Sequence, residues 1–146
     1  RLGLPNIRTE LQDASVCREE WKDSADVVLC DVPCSGLGII RKKPEIRFKN
    51  PDEIAGLPEI QARILANCAQ YVKKGGTLVY STCTILQREN EDVVRAFLTE
   101  NPEFEAVSWT HPRREGRRYG DAAAARSQYG WILYCENAPE GLIMEN

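Results

Sequence analysis

Two short stretches carry residue types suited to covalent chemistry. Asp31-Val32-Pro33-Cys34-Ser35-Gly36-Leu37-Gly38 sets a carboxylate and a thiol in one polar turn, and Ser81-Thr82-Cys83-Thr84 sets a second thiol among small polar residues. Cysteine in apolar surroundings is a small hydrophobe, and Cys30 and Cys68 fit that description. Cys34 and Cys83 do not, because each follows an apolar run in a polar turn. Together they could be a redox pair or a nucleophile with a helper. Redox pairs usually sit close in sequence, and these two do not, which favours nucleophile and helper. Asp31 is either a cap for turn amides or a carboxylate for a polar substrate edge or a protonated ring nitrogen. Pro33 stiffens the turn and removes a donor. Gly36 and Gly38 allow close approach of a ligand, without the Gly-x-Gly-x-x-Gly phosphate pattern. Asp13 serves equally well as a cap or as a ligand residue.

The elements behind these turns follow from the apolar patterning. Val27-Val28-Leu29-Cys30 reads as a strand covered on both faces, and Thr77-Leu78-Val79-Tyr80 as a second strand. Ligands of open α/β sheets bind outside the carboxyl ends of the strands, so neighbouring strands would deliver both thiols to one crevice. Ile7 to Leu11 is expected to be an earlier strand, ending at Asp13. Between the thiol strands, Pro58 and Glu59 open a helix with Ile60, Ile64, Cys68 and Val72 on one face. Lys73 and Lys74 suit its C-terminal dipole, and Gly75-Gly76 stops it. A second helix has Glu89, Glu91 and Asp92 in its first turn, turns Val93, Val94, Phe97 and Leu98 inward, and ends at Asn101-Pro102. Phe104 to Trp109 is a weak strand. Arg1 to Leu4 reads as the tail of a helix, and Cys17 to Ser24 as a short helix or loop. His111 to Gln128 reads as an exposed loop, with one helical turn at Ala122 to Ala125. Trp131 to Cys135 and Gly141 to Met144 are expected to pair as an antiparallel hairpin. The alternation predicts an α/β domain with a mostly parallel sheet and an antiparallel tail.

Composition narrows the class. The 146 residues suit one domain, and 42% hydrophobic with 28% charged residues fits a soluble globular chain. No run approaches the ~20 apolar residues of a membrane span, and no export signal is visible at Arg1-Leu2-Gly3-Leu4-Pro5. The chain starts without Met, the expectation for a piece of something longer. Its six cysteines form no Cys-x-x-Cys pair and the single histidine, His111, is remote from them, so zinc is not expected. Reduced thiols in a cytoplasmic protein are the natural reading. Net charge is −3, yet Arg41, Lys42, Lys43, Arg47 and Lys49 face only Glu45, and Arg113 to Arg118 holds four arginines. Such patches are either solvated surface or local phosphate contacts.

The two turns resemble the paired signature motifs of the RNA cytosine-5 methyltransferases. Ile39-Ile40-Arg41-Lys42-Lys43-Pro44-Glu45-Ile46-Arg47 is similar to the bacterial RsmB/Sun branch, which acts on small-subunit ribosomal RNA. Gly75-Gly76-Thr77-Leu78-Val79-Tyr80 and Glu89-Asn90-Glu91 also fit. The resemblance implies a Rossmann-like class I fold that uses S-adenosylmethionine, with residues 1–146 forming the C-terminal part of its catalytic domain. It implies Cys83 as the nucleophile that attacks carbon 6 of cytosine, Cys34 as the thiol that assists release, and Asp31 at the cytosine edge. Asp13, Asp31 and Pro33 would meet the cofactor. Arg41, Lys42, Lys43 and Arg47 would hold phosphates of an RNA, 16S ribosomal RNA by the branch, with no metal or membrane involved. The target base must leave its stack to reach such a pocket. The family's glycine-rich cofactor loop and its ribose-binding acid precede the matching region, and the strands that carry them belong between the Asp13 and Asp31 strands. The expectation for these residues alone is therefore weak or absent cofactor binding. A fold that binds RNA without chemistry is the alternative. A cysteine hydrolase or redox enzyme would need a base near its thiol, and the only histidine lies in an arginine-rich loop.

Overall fold

The computed structural model describes residues 4–108 and 129–135. Among these residues four strands form one sheet: β1 (Ala25–Asp31), β2 (Val72–Thr82), β3 (Phe104–Ser108) and β4 (Tyr129–Cys135). Three helices accompany them: α1 (Pro51–Ala55), α2 (Leu57–Ala69) and α3 (Glu91–Glu100). The spatial order is β1-β2-β4-β3. β1 and β2 are parallel, whereas β4 runs antiparallel to β2 on one side and to β3 on the other. β1, β2 and β3 thus point one way and β4 points back between them. Trp131 to Cys135 is a strand as expected, but an interior one. Gly141–Met144, the stretch His111–Gln128 with Arg113–Arg118 and Ala122–Ala125, and Arg1–Gly3 lie outside the described residues.

Alternation along β2 explains the core. Leu78, Tyr80 and Thr82 point inward and are buried, while Thr77, Val79 and Ser81 on the other face are only half-buried. Under the inward face lie Leu65 and Ala69 of α2 and Val93, Val94 and Phe97 of α3. Phe97 meets Phe104 at 5.3 Å between ring centroids. Helices cover one face only among the described residues. Val27 and Leu29 of β1 remain 63% and 69% exposed, so the expectation of a strand covered on both faces is not met among the described residues: the face of Val28 and Cys30 is covered and that of Val27 and Leu29 is open.

Two further expectations are corrected. α2 ends at Ala69, six residues before the paired glycines, because Gln70 and Tyr71 turn tightly, their amides donating to Asn67 O and Cys68 O at 3.1 Å. Val72 to Thr82 is one long strand with an irregularity: Ala25 pairs with Val72, yet Val27 pairs with Thr77. Gly75 takes φ +74° there. A Cβ on Gly76 would lie 2.9 Å from Lys73 O and 3.0 Å from Asp26 O, so only glycine fits. Lys73 bonds Asp26 across the strands at 3.1 Å and serves no helix end. Ile7 to Leu11 forms no strand. The chain passes alongside α2, where Asn67 Nδ2 donates to Ala14 O at 2.8 Å and Tyr71 accepts from Arg18 N at 2.9 Å.

Candidate active site

Parallel pairing of β1 with β2 sets Asp31 opposite Ser81, so the two motif turns leave the sheet side by side. Val32 N donates to Ser81 O at 3.2 Å and Gly38 N to Cys83 O at 3.0 Å. Cys34 Sγ then stands 3.0 Å from Cys83 Sγ, and Cys83 N donates to Cys34 Sγ at 3.2 Å. Both thiols are free and partly exposed. Ser81 Oγ donates to Asp31 Oδ1 at 2.8 Å, which aims that exposed carboxylate along the same edge. Ser35 and Thr84 share a buried hydroxyl–hydroxyl bond of 2.6 Å beneath the thiols. Gly36 adopts φ +76°, a left-handed conformation that side chains resist, and a Cβ there would meet Ile46 Cδ1 at 3.0 Å. The turn therefore closes tightly over Ile46.

Burial pushes the Cys83 thiol up to about 11, and the hydrogen bond to Cys34 and the charge of Asp31 add to the rise. Cys83 is thus a protonated thiol near neutrality and needs a partner to take its proton. Cys30 is buried in the core as expected, its pKa raised first by its hydrogen bond to Cys68 and then by burial.

Asp13 stands apart from this cluster. Its Oδ1 accepts from Ser15 Oγ at 2.7 Å and Ser15 N at 2.9 Å, and these bonds hold the exposed carboxyl below its usual range. Pro33 is exposed, and its carbonyl accepts from Gln61 Nε2 at 2.9 Å. Arg41, Lys42, Lys43 and Arg47 are all exposed. Their segment is tied to the Cys34 turn by buried Ile46 and by Lys49, whose Nζ donates to Ser35 O at 3.1 Å. Arg47 lies over the exposed ring of Phe48, 5.3 Å from its centroid.

Sequence reasoning missed the support beneath the turns. Glu89, expected in a helix's first turn, is fully buried and precedes α3. Gln61 and Asn90 are buried with it. Glu89-Asn90-Glu91 stands out only as part of the resemblance, and Gln61 beside an apolar helix face reads on its own as surface. Among the described residues no group of three or more His, Cys, Asp or Glu side chains could hold a metal ion, and no helix is long and apolar enough to cross a membrane.

Comparison with known proteins agrees with this architecture. A solved structure, PH0851, is 36% identical with a TM-score of 0.63, over 77% of this chain and 26% of that one. A methyltransferase homologue from Pyrococcus horikoshii is 25% identical with a TM-score of 0.56, over 75% of this chain and 39% of that one. The sheet is thus a Rossmann-like methyltransferase sheet. The probable ribosomal RNA small subunit methyltransferase B of Bacillus subtilis is 50% identical over 107 residues, covering 72% of this chain and 24% of the relative. The chain spans about a quarter of the length of the curated relatives it matches. The model of the 16S rRNA methyltransferase RsmB/F family matches residues 1–131. By that match and those identities, this chain belongs to the 16S rRNA methyltransferase RsmB/F family.

Proposed function

We propose that residues 1–146 form the C-terminal part of the catalytic domain of an S-adenosylmethionine-dependent methyltransferase that modifies carbon 5 of a cytosine in small-subunit ribosomal RNA. The observation that carries this reading is the 3.0 Å approach of Cys34 Sγ to Cys83 Sγ beside Asp31. Carbon 5 of cytosine is a weak nucleophile. Addition of the Cys83 sulfur to carbon 6 forms a bond that gives carbon 5 enamine character, the thiol's proton passing by way of Asp31 to nitrogen 3 as the ring's electron pair shifts onto that atom. Asp31, held by Ser81, faces the ring nitrogen and stabilises the adduct. Once carbon 5 carries the methyl group, its proton must leave before the Cys83–carbon bond can break. In this reading Cys34 takes that proton, and Cys83 departs as thiolate.

S-adenosylmethionine, when bound, supplies the methyl group. The residues present fit part of its site: Asp31 and Pro33 are exposed at the carboxyl end of β1, and Asp13 is an exposed carboxylate whose hydrogen bonds favour ionisation. Carboxylates suit a ligand that carries a positive charge and hydroxyl donors. Arg41, Lys42, Lys43 and Arg47 contact phosphates and so position the RNA without reading it.

The test uses full-length enzyme with substrate RNA containing 5-fluorocytosine. Wild type should form a complex that survives denaturing electrophoresis, and Cys83→Ala should form none. On ordinary RNA, Cys34→Ala should accumulate the same complex. Adduct formation by Cys83→Ala would refute the nucleophile, and retention of RNA without any adduct would favour a binding module.

A further inference from the structure

The acid at position 89 is buried at a cost in desolvation. Glu89 is 0% exposed, and its Oε1 has no hydrogen-bond partner. A buried carboxylate so sparsely satisfied is unfavourable. Rules of this kind are broken mainly where function requires it.

Its other oxygen shows what the cost supports. Glu89 Oε2 accepts from Ser35 N at 2.8 Å and from Gln61 Nε2 at 3.1 Å. The same Gln61 nitrogen donates to Pro33 O at 2.9 Å. The carbonyl before Cys34 and the amide after it are therefore both tied to one acid–amide pair. The other side of position 89 holds the Cys83 turn. Tyr80 Oη donates to Glu89 O at 2.7 Å, and burial raises the Tyr80 phenol so that it stays a donor. Next in the chain, Asn90 Oδ1 accepts from Thr82 Oγ1 at 2.6 Å, and Asn90 Nδ2 donates to Thr84 O at 3.3 Å. One dipeptide thus straps the two thiol turns together from below.

We infer that Glu89 is a positioning residue: acting through Ser35 and Gln61, it sets the Cys34 thiol at the distance from Cys83 that release of the methylated base requires. This rests on the cysteine-adduct reading above. It assigns Glu89 no proton transfer, so what matters is its acceptor geometry. A glutamine can keep that geometry, with its amide nitrogen in place of the unpartnered oxygen. Alanine cannot.

The experiment compares Glu89→Ala and Glu89→Gln in the full-length enzyme on ordinary RNA, scoring turnover, KM for RNA and covalent complex. Glu89→Ala should lower kcat by about tenfold or more with KM changed less than about twofold, and should accumulate complex as Cys34→Ala does. Glu89→Gln should restore turnover to within about threefold, because it keeps the acceptor and loses only charge assistance. If Glu89→Ala melts below the assay temperature, Gln61→Met carries the test. It removes only the hold on Pro33 and Glu89, and should show the same accumulation. The proposal is overturned if the truncating variant turns over normally, if complex formation and turnover fall together in step with folded protein, or if Glu89→Gln is as impaired as Glu89→Ala. A complex that persists in Cys83→Ala sinks the parent reading instead, and this inference with it.

Discussion

At the scale of single residues, Cys83 holds its proton more tightly than a free thiol does, because burial and Cys34 both favour the neutral form. Only the thiolate reacts. With a pKa near 11, the thiolate fraction rises about tenfold per pH unit between pH 8 and 10. Iodoacetamide labelling of the Cys83 peptide, followed by mass spectrometry, should rise by that factor, and a plateau at pH 9 would contradict it. Gly36 offers a second test. Alanine there adopts a left-handed φ of +76° and presses on Ile46 at 3.0 Å. The left-handed strain alone costs about 1–2 kcal/mol, which a chemical denaturation curve would register, and covalent complex should accumulate on ordinary RNA because the Cys34 turn that serves release shifts. The meeting of the two thiol turns beside Asp31 was legible because these residue types are unusual at the ends of apolar runs. Glu89 and Gln61 were not: a polar residue beside an apolar stripe reads as solvated until the tertiary fold buries it.

Elements were legible where one periodicity ruled and obscure where two competed. α3 and the inner part of β2 follow their patterns closely. The segment from Cys68 to Gly76 fitted a helix ending at its glycines, yet Tyr71 and Val72 go into the core as turn and strand. Tertiary pairing with β1 outweighed a favourable helix end. The glycines then serve the strand irregularity, so Gly76→Ala should cost about 1–3 kcal/mol as an overpacked contact, since the obstructing atoms are backbone oxygens at 2.9 and 3.0 Å. Leu65→Ala on α2, at a fully buried position, should cost about 2–5 kcal/mol through the cavity it leaves. Thermal or denaturant melts measure both, and a change below about 0.5 kcal/mol at either site would contradict the packing described.

At the scale of the whole molecule, β1 is paired on one side only among the described residues. Its Val27 and Leu29 are largely exposed. An open strand edge beside exposed aliphatic side chains favours association. Residues 1–146 expressed alone should therefore self-associate in sedimentation experiments, and Leu29→Lys should shift the distribution toward monomer. A chain that is monomeric at high micromolar concentration would contradict this. The α/β class and the antiparallel C-terminal strand were legible from the order of apolar runs. The insertion of β4 between β2 and β3 was not, because strand order depends on pairings made across the fold, which local patterning does not encode.

The two thiols stand side by side and the proposal gives them different tasks, so the most direct test is to find which sulfur holds the base. Full-length enzyme trapped on RNA containing 5-fluorocytosine should be digested with protease and nuclease, and the modified peptide sequenced by mass spectrometry. The nucleotide should be found on the peptide containing Cys83, with Cys34 unmodified. A nucleotide on Cys34, or no modified cysteine at all, would contradict the assignment on which the proposed chemistry stands.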